Sequence, residues 1–181
     1  MPDTLYYATV AAVAAERVLE LAVARRNVRS LMARGGLEFD RAGYRAMVAV
    51  HALFLAACAA EVRFLGRPWH KGLAVLMAAV LAGAMALRYW VVFTLGVRWS
   101  TRIVVVPGDR LIRRGPYRIM RHPNYLAVVL EFFALPMVHT AYLTALVFSA
   151  INLAVLRRRI ANEESAMRAH CLPPAREEDG S

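Results

Sequence analysis

Lysine is nearly absent from this chain of 181 residues: Lys71 is the only one, so arginine carries the formal net charge of +10. The arginines sit in clumps between apolar runs, with no polar scaffold behind them. A nucleic-acid binder needs one continuous basic face on such a scaffold, and that function is excluded. Cysteine is scarce too, with Cys58 in an apolar stretch and Cys171 near the end. Neither has CxxC or His–Cys spacing, which excludes a disulfide framework and a zinc site and predicts two free thiols. His51 and His139 lack partners at ligand spacing, against a haem or metal centre. Met1 to Asp3 carries no positive charge, so the basic start of a secretory signal is missing and the first apolar run is expected to persist in the mature protein. Internal repeats and low-complexity linkers are lacking as well. One domain is expected over 1–170, followed by a flexible tail, 171–181, with two prolines, acidic residues and a terminal Gly-Ser.

What the chain does have is apolar sequence, 59% by composition, far above a soluble domain of this size. A bilayer core about 30 Å thick asks for roughly 20 mostly apolar helical residues. Leu5 to Ala24, Gly43 to Leu65 and Gly72 to Val97 meet that length, and Tyr125 to Leu135 and Ala141 to Leu156 are shorter runs around Pro136, His139 and Thr140. The predicted fold is an all-α integral membrane protein of about five transmembrane helices. Its last two form a helical hairpin with Pro136 at the turn, because proline disfavours helix in the residue before it. Six arginines lie in Arg25 to Arg45, seven in Arg98 to Arg121 and three at 157–159, while Pro136 to Ala141 is uncharged. Since cytoplasmic loops hold the excess of Arg and Lys, the N-terminus is predicted outside and the C-terminus in the cytosol. The stretch Arg63 to Lys71, with three positive charges outside, runs against that pattern.

Two constellations carry chemistry. GPYRIMRHPNY, Gly115 to Tyr125, follows a short β-like stretch, Ile103 to Val106, and opens an apolar helix. It brings Tyr117, Arg118, Arg121, His122 and Tyr125 to a helix N-terminus, where free backbone N–H groups favour anions. As a plain alternative it is a basic loop with Pro123 in the first helical turn. RRRIANEES, Arg157 to Ser165, follows the last apolar run, with Arg159 and Glu163 on one helix face, suited to an i,i+4 ion pair. Around a hairpin both stretches emerge on one membrane face, so His122 and Glu163 can share a pocket. Glu16, Arg17, Glu20, Arg88 and Glu131 interrupt the apolar runs, and each costs about 2.5–3.5 kcal/mol at a bilayer centre unless it faces protein or water. Glu16, Glu20 and Arg17 are expected to form a helix-packing ion pair. Glu131 is either a buried carboxyl bonded to Asn152 or a hydroxyl, or a substrate-orienting group.

The pattern L-x-R-x-G-P-Y-x-x-x-R-H-P-x-Y at Leu111 to Tyr125, followed by R-x-x-x-E-E at Arg159 to Glu164, resembles the isoprenylcysteine carboxyl methyltransferase family of membrane enzymes. ERVLELAVARRN (Glu16 to Asn27), TLGVRWSTRIVVVPG (Thr94 to Gly108) and RHPNYLAVVLE (Arg121 to Glu131) look most like its small bacterial members found beside type III polyketide synthases. The resemblance implies a cytosolic pocket for S-adenosylmethionine lined by Asp109, Arg110, Leu111, Ile112, Tyr117, His122, Pro123, Asn124, Tyr125 and Glu163. It puts Arg159 on the substrate side. The family often has His where this chain has Asp109, and the F-G-x-x-Y segment that often follows the glutamate pair is replaced by HCLPPAREEDGS.

S-adenosylmethionine presents an ammonium, a carboxylate, a sulfonium and an adenine. Glu163 suits the ammonium, Arg118 or backbone N–H groups the carboxylate, and Tyr117 or Tyr125 the sulfonium, as a cation–π partner worth about 0.5–2 kcal/mol. A carboxylate acceptor wants Arg159 to orient it, whereas a phenol or enol profits from a base, for which His122 is available unless it only shapes the cofactor site. The expected acceptor is a lipophilic small molecule, an alkylpyrone or alkylresorcinol or a prenylcysteine, entering from membrane lipid. Membrane sterol reductases, which use a nicotinamide dinucleotide, share the RHPxY-type helix start, but R-x-x-x-E-E favours methyl transfer. A non-catalytic membrane scaffold is the third alternative.

Overall fold

The computed structural model describes residues 3–173 and consists of α1 (Asp3–Ala33), β1 (Leu37–Phe39), α2 (Arg41–Leu65), α3 (Lys71–Leu95), β2 (Ile103–Val105), α4 (Pro123–Met137) and α5 (Tyr142–His170). All five predicted helical runs are helices. Helix α1 continues nine residues past Ala24, to Ala33, and α5 fourteen past Leu156, to His170, through charged sequence that carries no apolar signature. Two helical segments, Arg41–Leu65 and Lys71–Arg98, are long and apolar enough to cross a membrane, and Pro123–Met137 is apolar but shorter.

That shortness has a structural reason. Helix α4 spans about 22 Å by helical rise, and it packs mainly on α3 and α5 as an inner element, with Ala127, Val128, Phe132, Ala134 and Leu135 buried. Phe132 stacks on Phe54 of α2 at 4.1 Å between ring centroids, tying α4 to the aromatic centre of the core. Pro136 does not mark the hairpin turn. It lies within α4, where its missing N–H forfeits a bond only in the final turn. The chain reverses after it, with Thr140 at φ 55 and Ala141 N donating to Pro136 O at 2.9 Å. Glu61 of α2 caps the start of α5, accepting from Leu143 N at 3.1 Å and Thr144 N at 2.6 Å, and it pairs with Arg67 at 2.6 Å. One of the three positive charges of Arg63 to Lys71 is thereby matched.

At the other end of the bundle, β1 and β2 form an antiparallel pair, Leu37 opposite Val105 and Phe39 opposite Ile103, which the all-α prediction lacks. Ile103 and Val105 pack with Ala166, joining the ribbon to α5. Past His170 the chain is still held: Leu172 N donates to Asp109 O and Leu111 N to Leu172 O, both at 3.1 Å. The predicted tail therefore begins with two docked residues, and 174–181 lie outside the described residues. These contacts gather the arginine-rich connections 25–45, 98–121 and 157–159 at one end of the molecule.

Candidate active site

A cavity of about 310 Å³ lies between the helices, with walls from all five and from the stretch Trp99 to Ile103. This is at the lower end of the roughly 300–1,000 Å³ typical of small-molecule sites. Its polar lining falls into two groups, one around Tyr125 and Glu163 and one around Arg17, Glu20 and Arg88, and its apolar lining includes Val91, Val128 and Leu156.

The first polar end comes from the two sequence motifs. Gly115 sits at φ +56, and a Cβ there would lie 2.4 Å from Thr94 Oγ1, so only glycine lets the chain turn against α3 and deliver Tyr117 to the cavity. Pro123 then opens α4. Tyr125 OH donates to Glu163 Oε2 at 2.5 Å, and His122 Nε2 meets Glu164 Oε1 at 3.0 Å. The predicted juxtaposition of His122 and Glu163 is therefore present, with Glu164 the direct partner of the imidazole. That hydrogen bond, helped by Arg168, holds the Glu164 carboxyl below its ordinary range, while burial and then the charge of Glu163 push the Tyr117 hydroxyl up. Arg159 and Glu163 do not form the i,i+4 pair. Arg159, 3% exposed, sends Nη2 to Thr101 O at 3.0 Å, and its Nε and Nη1 have no hydrogen-bond partner among the described residues. Asn124 Oδ1 and Trp99 Nε1 are likewise buried without partners, and all three side chains line the cavity.

The stretch Trp99 to Ile103 was not singled out in the sequence as part of the site. Asn27 of α1 positions it, its Nδ2 lying 2.8 Å from Trp99 O and 3.1 Å from Gly96 O. The stretch lies within TLGVRWSTRIVVVPG, Thr94 to Gly108, which contributes to the resemblance without a site role of its own.

The second polar end is formed by Arg17, Glu20 and Arg88, with His51 nearby on the wall. Arg17 Nη1 lies 2.7 Å from Glu20 Oε2, its Nη2 lies 3.0 Å from Glu16 Oε2, and Arg88 Nη1 is 3.4 Å from Glu20 Oε2. The predicted Glu16–Arg17–Glu20 grouping is thus part of a larger network. Glu131, 1% exposed, pairs with Arg88 and lies 3.6 Å from Arg17. Neither Asn152 nor a hydroxyl is its partner, and Glu131 is not on the cavity wall but reaches it through the two arginines.

Six of the predicted cofactor residues lie off the cavity wall. Asp109 pairs with Arg34 at 2.9 Å and Arg98 at 3.5 Å, and Asp109, Arg110 and Leu111 are knit to Leu172. With Ile112 they lie off the cavity wall, because the end of α5 claims their backbone. Arg118 is exposed and Pro123 is buried under the helix start, so neither lines the cavity, whereas Arg121 does. Tyr117, His122, Asn124, Tyr125, Arg159 and Glu163 are brought together.

The chemistry available here is specific. Buried groups of both charges and two phenol rings face a space whose remaining wall is apolar, an arrangement for a ligand with ionic, aromatic and lipophilic parts. Comparison with known proteins agrees with the motifs. The profile of the Isoprenylcysteine carboxyl methyltransferase (ICMT) family matches residues 74–169. "Uncharacterized protein YpbQ" of Bacillus subtilis is 35% identical over 169 residues, covering 92% of this chain and 98% of the relative. An "Uncharacterized protein" of Haemophilus influenzae is 29% identical over 170 residues, covering 91% and 95%. No solved structure matches.

Proposed function

The chain belongs to the isoprenylcysteine carboxyl methyltransferase family of membrane methyltransferases, and we propose that it moves a methyl group from S-adenosylmethionine to an oxygen of a lipophilic small molecule. The carrying observation is the convergence of Tyr117, Asn124, Tyr125, Arg159 and Glu163 on one cavity, with Arg159 Nε and Nη1 and Asn124 Oδ1 buried and lacking a hydrogen-bond partner among the described residues. Unpaired buried polar groups cost about 1–3 kcal/mol each, more when charged, so a ligand that satisfies them is strongly favoured.

These residues fit the cofactor. Glu163 takes its ammonium, Asn124 adds a hydrogen bond, and Tyr117 and Tyr125 offer ring faces to its positive sulfur. S-adenosylmethionine, when bound, supplies a methyl group on a sulfonium leaving group. What remains for the protein is alignment and exclusion of water, worth roughly 7–11 kcal/mol in well-oriented reactions. Arg159 directs the acceptor oxygen, and His122, engaged through Nε2 with Glu164, shapes the cofactor wall. The acceptor comes from the bilayer: Val18 of α1 lines the cavity and is 66% exposed, which supports an opening toward lipid.

The same reading covers topology, with five spans, the N-terminus outside and the arginine-rich end in the cytosol of a bacterial inner membrane. The gathering of the arginine-rich connections at one end and the bacterial relatives support it. Calorimetry on detergent-purified protein tests the reaction class. S-adenosylhomocysteine should bind and NADPH should not; binding of NADPH alone would point to a reductase, and silence toward both to a scaffold.

A further inference from the structure

A second, open groove lies at the arginine-rich end of the molecule. Glu38 of β1, Arg41, Tyr44 and Arg45 in the first turns of α2, and Arg102 just before β2 line it, and Arg102 lines the cavity as well. Two of its guanidinium groups are held in place by the protein itself. Glu38, with a side chain 8% exposed, accepts from Arg102 Nη1 at 3.1 Å and from Arg41 Nε at 3.2 Å, one through each carboxylate oxygen. Arg102 also lies over the Tyr44 ring, 4.9 Å from its centroid. Arg45 has no carboxylate partner among the described residues. Three guanidinium groups against one carboxylate leave the groove formally positive by two. From Arg45 a face of α2 continues at helical spacing through Ala49, Ala52, Leu53 and Ala56, all exposed, and α2 is long and apolar enough to cross a membrane. A cationic groove therefore stands at the end of an apolar strip.

We propose that this groove binds the head group of an anionic bilayer phospholipid, with its phosphate against Arg45 and Arg102 and an acyl chain along Ala49, Ala52 and Leu53. The inference depends on the membrane placement of α2 and not on the methyl-transfer reading. Arginine suits the task because its planar fork meets two phosphate oxygens at once. Charge selects the lipid. A phosphate diester with an uncharged head brings one negative charge to a groove of charge +2, whereas a choline head carries its own ammonium into it. The apolar strip selects a lipid over a soluble phosphate, which would leave that strip unused. Because Arg102 lines both spaces, the bound head stands against the wall of the cavity.

The test is native mass spectrometry of the full chain in detergent, titrated with phosphatidylglycerol and with phosphatidylcholine of the same acyl chains. One phosphatidylglycerol should bind at least about fivefold more tightly than phosphatidylcholine, the scale of one charge at a basic membrane surface. Arg45→Gln should lose most of that preference, whereas Arg113→Gln, at an exposed arginine outside the groove, should keep it. Equal affinity for the two lipids in the unchanged protein would overturn the proposal, as would equal losses in the two variants, the mark of diffuse attraction to a positive surface. Displacement of the lipid by inorganic phosphate, or binding of glycerophosphoglycerol as tight as that of the whole lipid, would overturn it in favour of a soluble anion. If Arg45→Gln does not fold, the stoichiometry in the unchanged protein decides: a single tight site supports the proposal, and several equal ones overturn it.

Discussion

The two polar ends of the cavity are built in opposite ways. At the Tyr125–Glu163 end, the partners come from two compact motifs on consecutive helices, and His122, Tyr125, Glu163 and Glu164 meet because a hairpin returns the chain to the same face. At the Arg88 end the charges come from three helices: Arg88 of α3 meets Glu20 of α1 across 68 residues and Glu131 of α4 across 43, and Arg17 pairs with Glu16 and Glu20 within α1. The first end has a partly exposed rim, with the Glu164 side chain 29% exposed; the second is almost dry, with Arg88 at 5% and Glu131 at 1%. A site assembled from local motifs can lose a residue and keep its fold, whereas one assembled from buried charges on three helices is also part of what holds them together.

The largest effect expected from breaking this contrast is on folding. Arg88→Met leaves the buried Glu131 carboxylate with only its longer contact to Arg17, at 3.6 Å, and should destabilise the protein by about 3–5 kcal/mol, read as a large drop in thermal midpoint in detergent. A midpoint within a degree or two of the unchanged protein would remove the network from the fold. Glu163→Ala should act the other way, leaving the midpoint nearly unchanged while weakening S-adenosylhomocysteine binding about tenfold to a hundredfold by calorimetry. Unchanged affinity would take Glu163 out of the cofactor wall. The smallest effect belongs to Asp109→Ala. The lost Arg34 pair is partly exposed and worth about 0–1 kcal/mol, and S-adenosylhomocysteine affinity should stay the same. A marked loss of affinity would return Asp109 to the site.

The contrast also explains what was legible in the sequence. Apolar runs located every helix, since burial or lipid contact leaves a length of hydrophobic residues to read. They did not give the charged extensions over 25–33 and 157–170, which are helical without such a run. The wall formed by Tyr117, His122, Asn124, Tyr125, Arg159 and Glu163 was readable because its residues lie in two motifs on facing helices. Asp109 to Ile112 lie off the cavity wall, with Asp109 and Leu111 bonded to Leu172, 63 and 61 residues further on, a pairing that no local pattern announces. Arg17, Glu20 and Arg88 stood out as costly charges in apolar runs, but their convergence on one cavity depends on how three helices pack. Pro136 misled for a simpler reason: proline in the last turn of a helix sacrifices little, so the turn came afterwards.

One measurement bears most directly on the account. The purified protein in lipid nanodiscs is incubated with methyl-labelled S-adenosylmethionine and candidate hydroxypyrones, resorcinols and prenylcysteines, and the products are read by mass spectrometry for the unchanged chain and for Arg159→Ala. The expected result is label on an acceptor oxygen, with transfer falling in the variant by at least about tenfold while S-adenosylhomocysteine still binds. No labelled product from any acceptor, or transfer undiminished without Arg159, would contradict it.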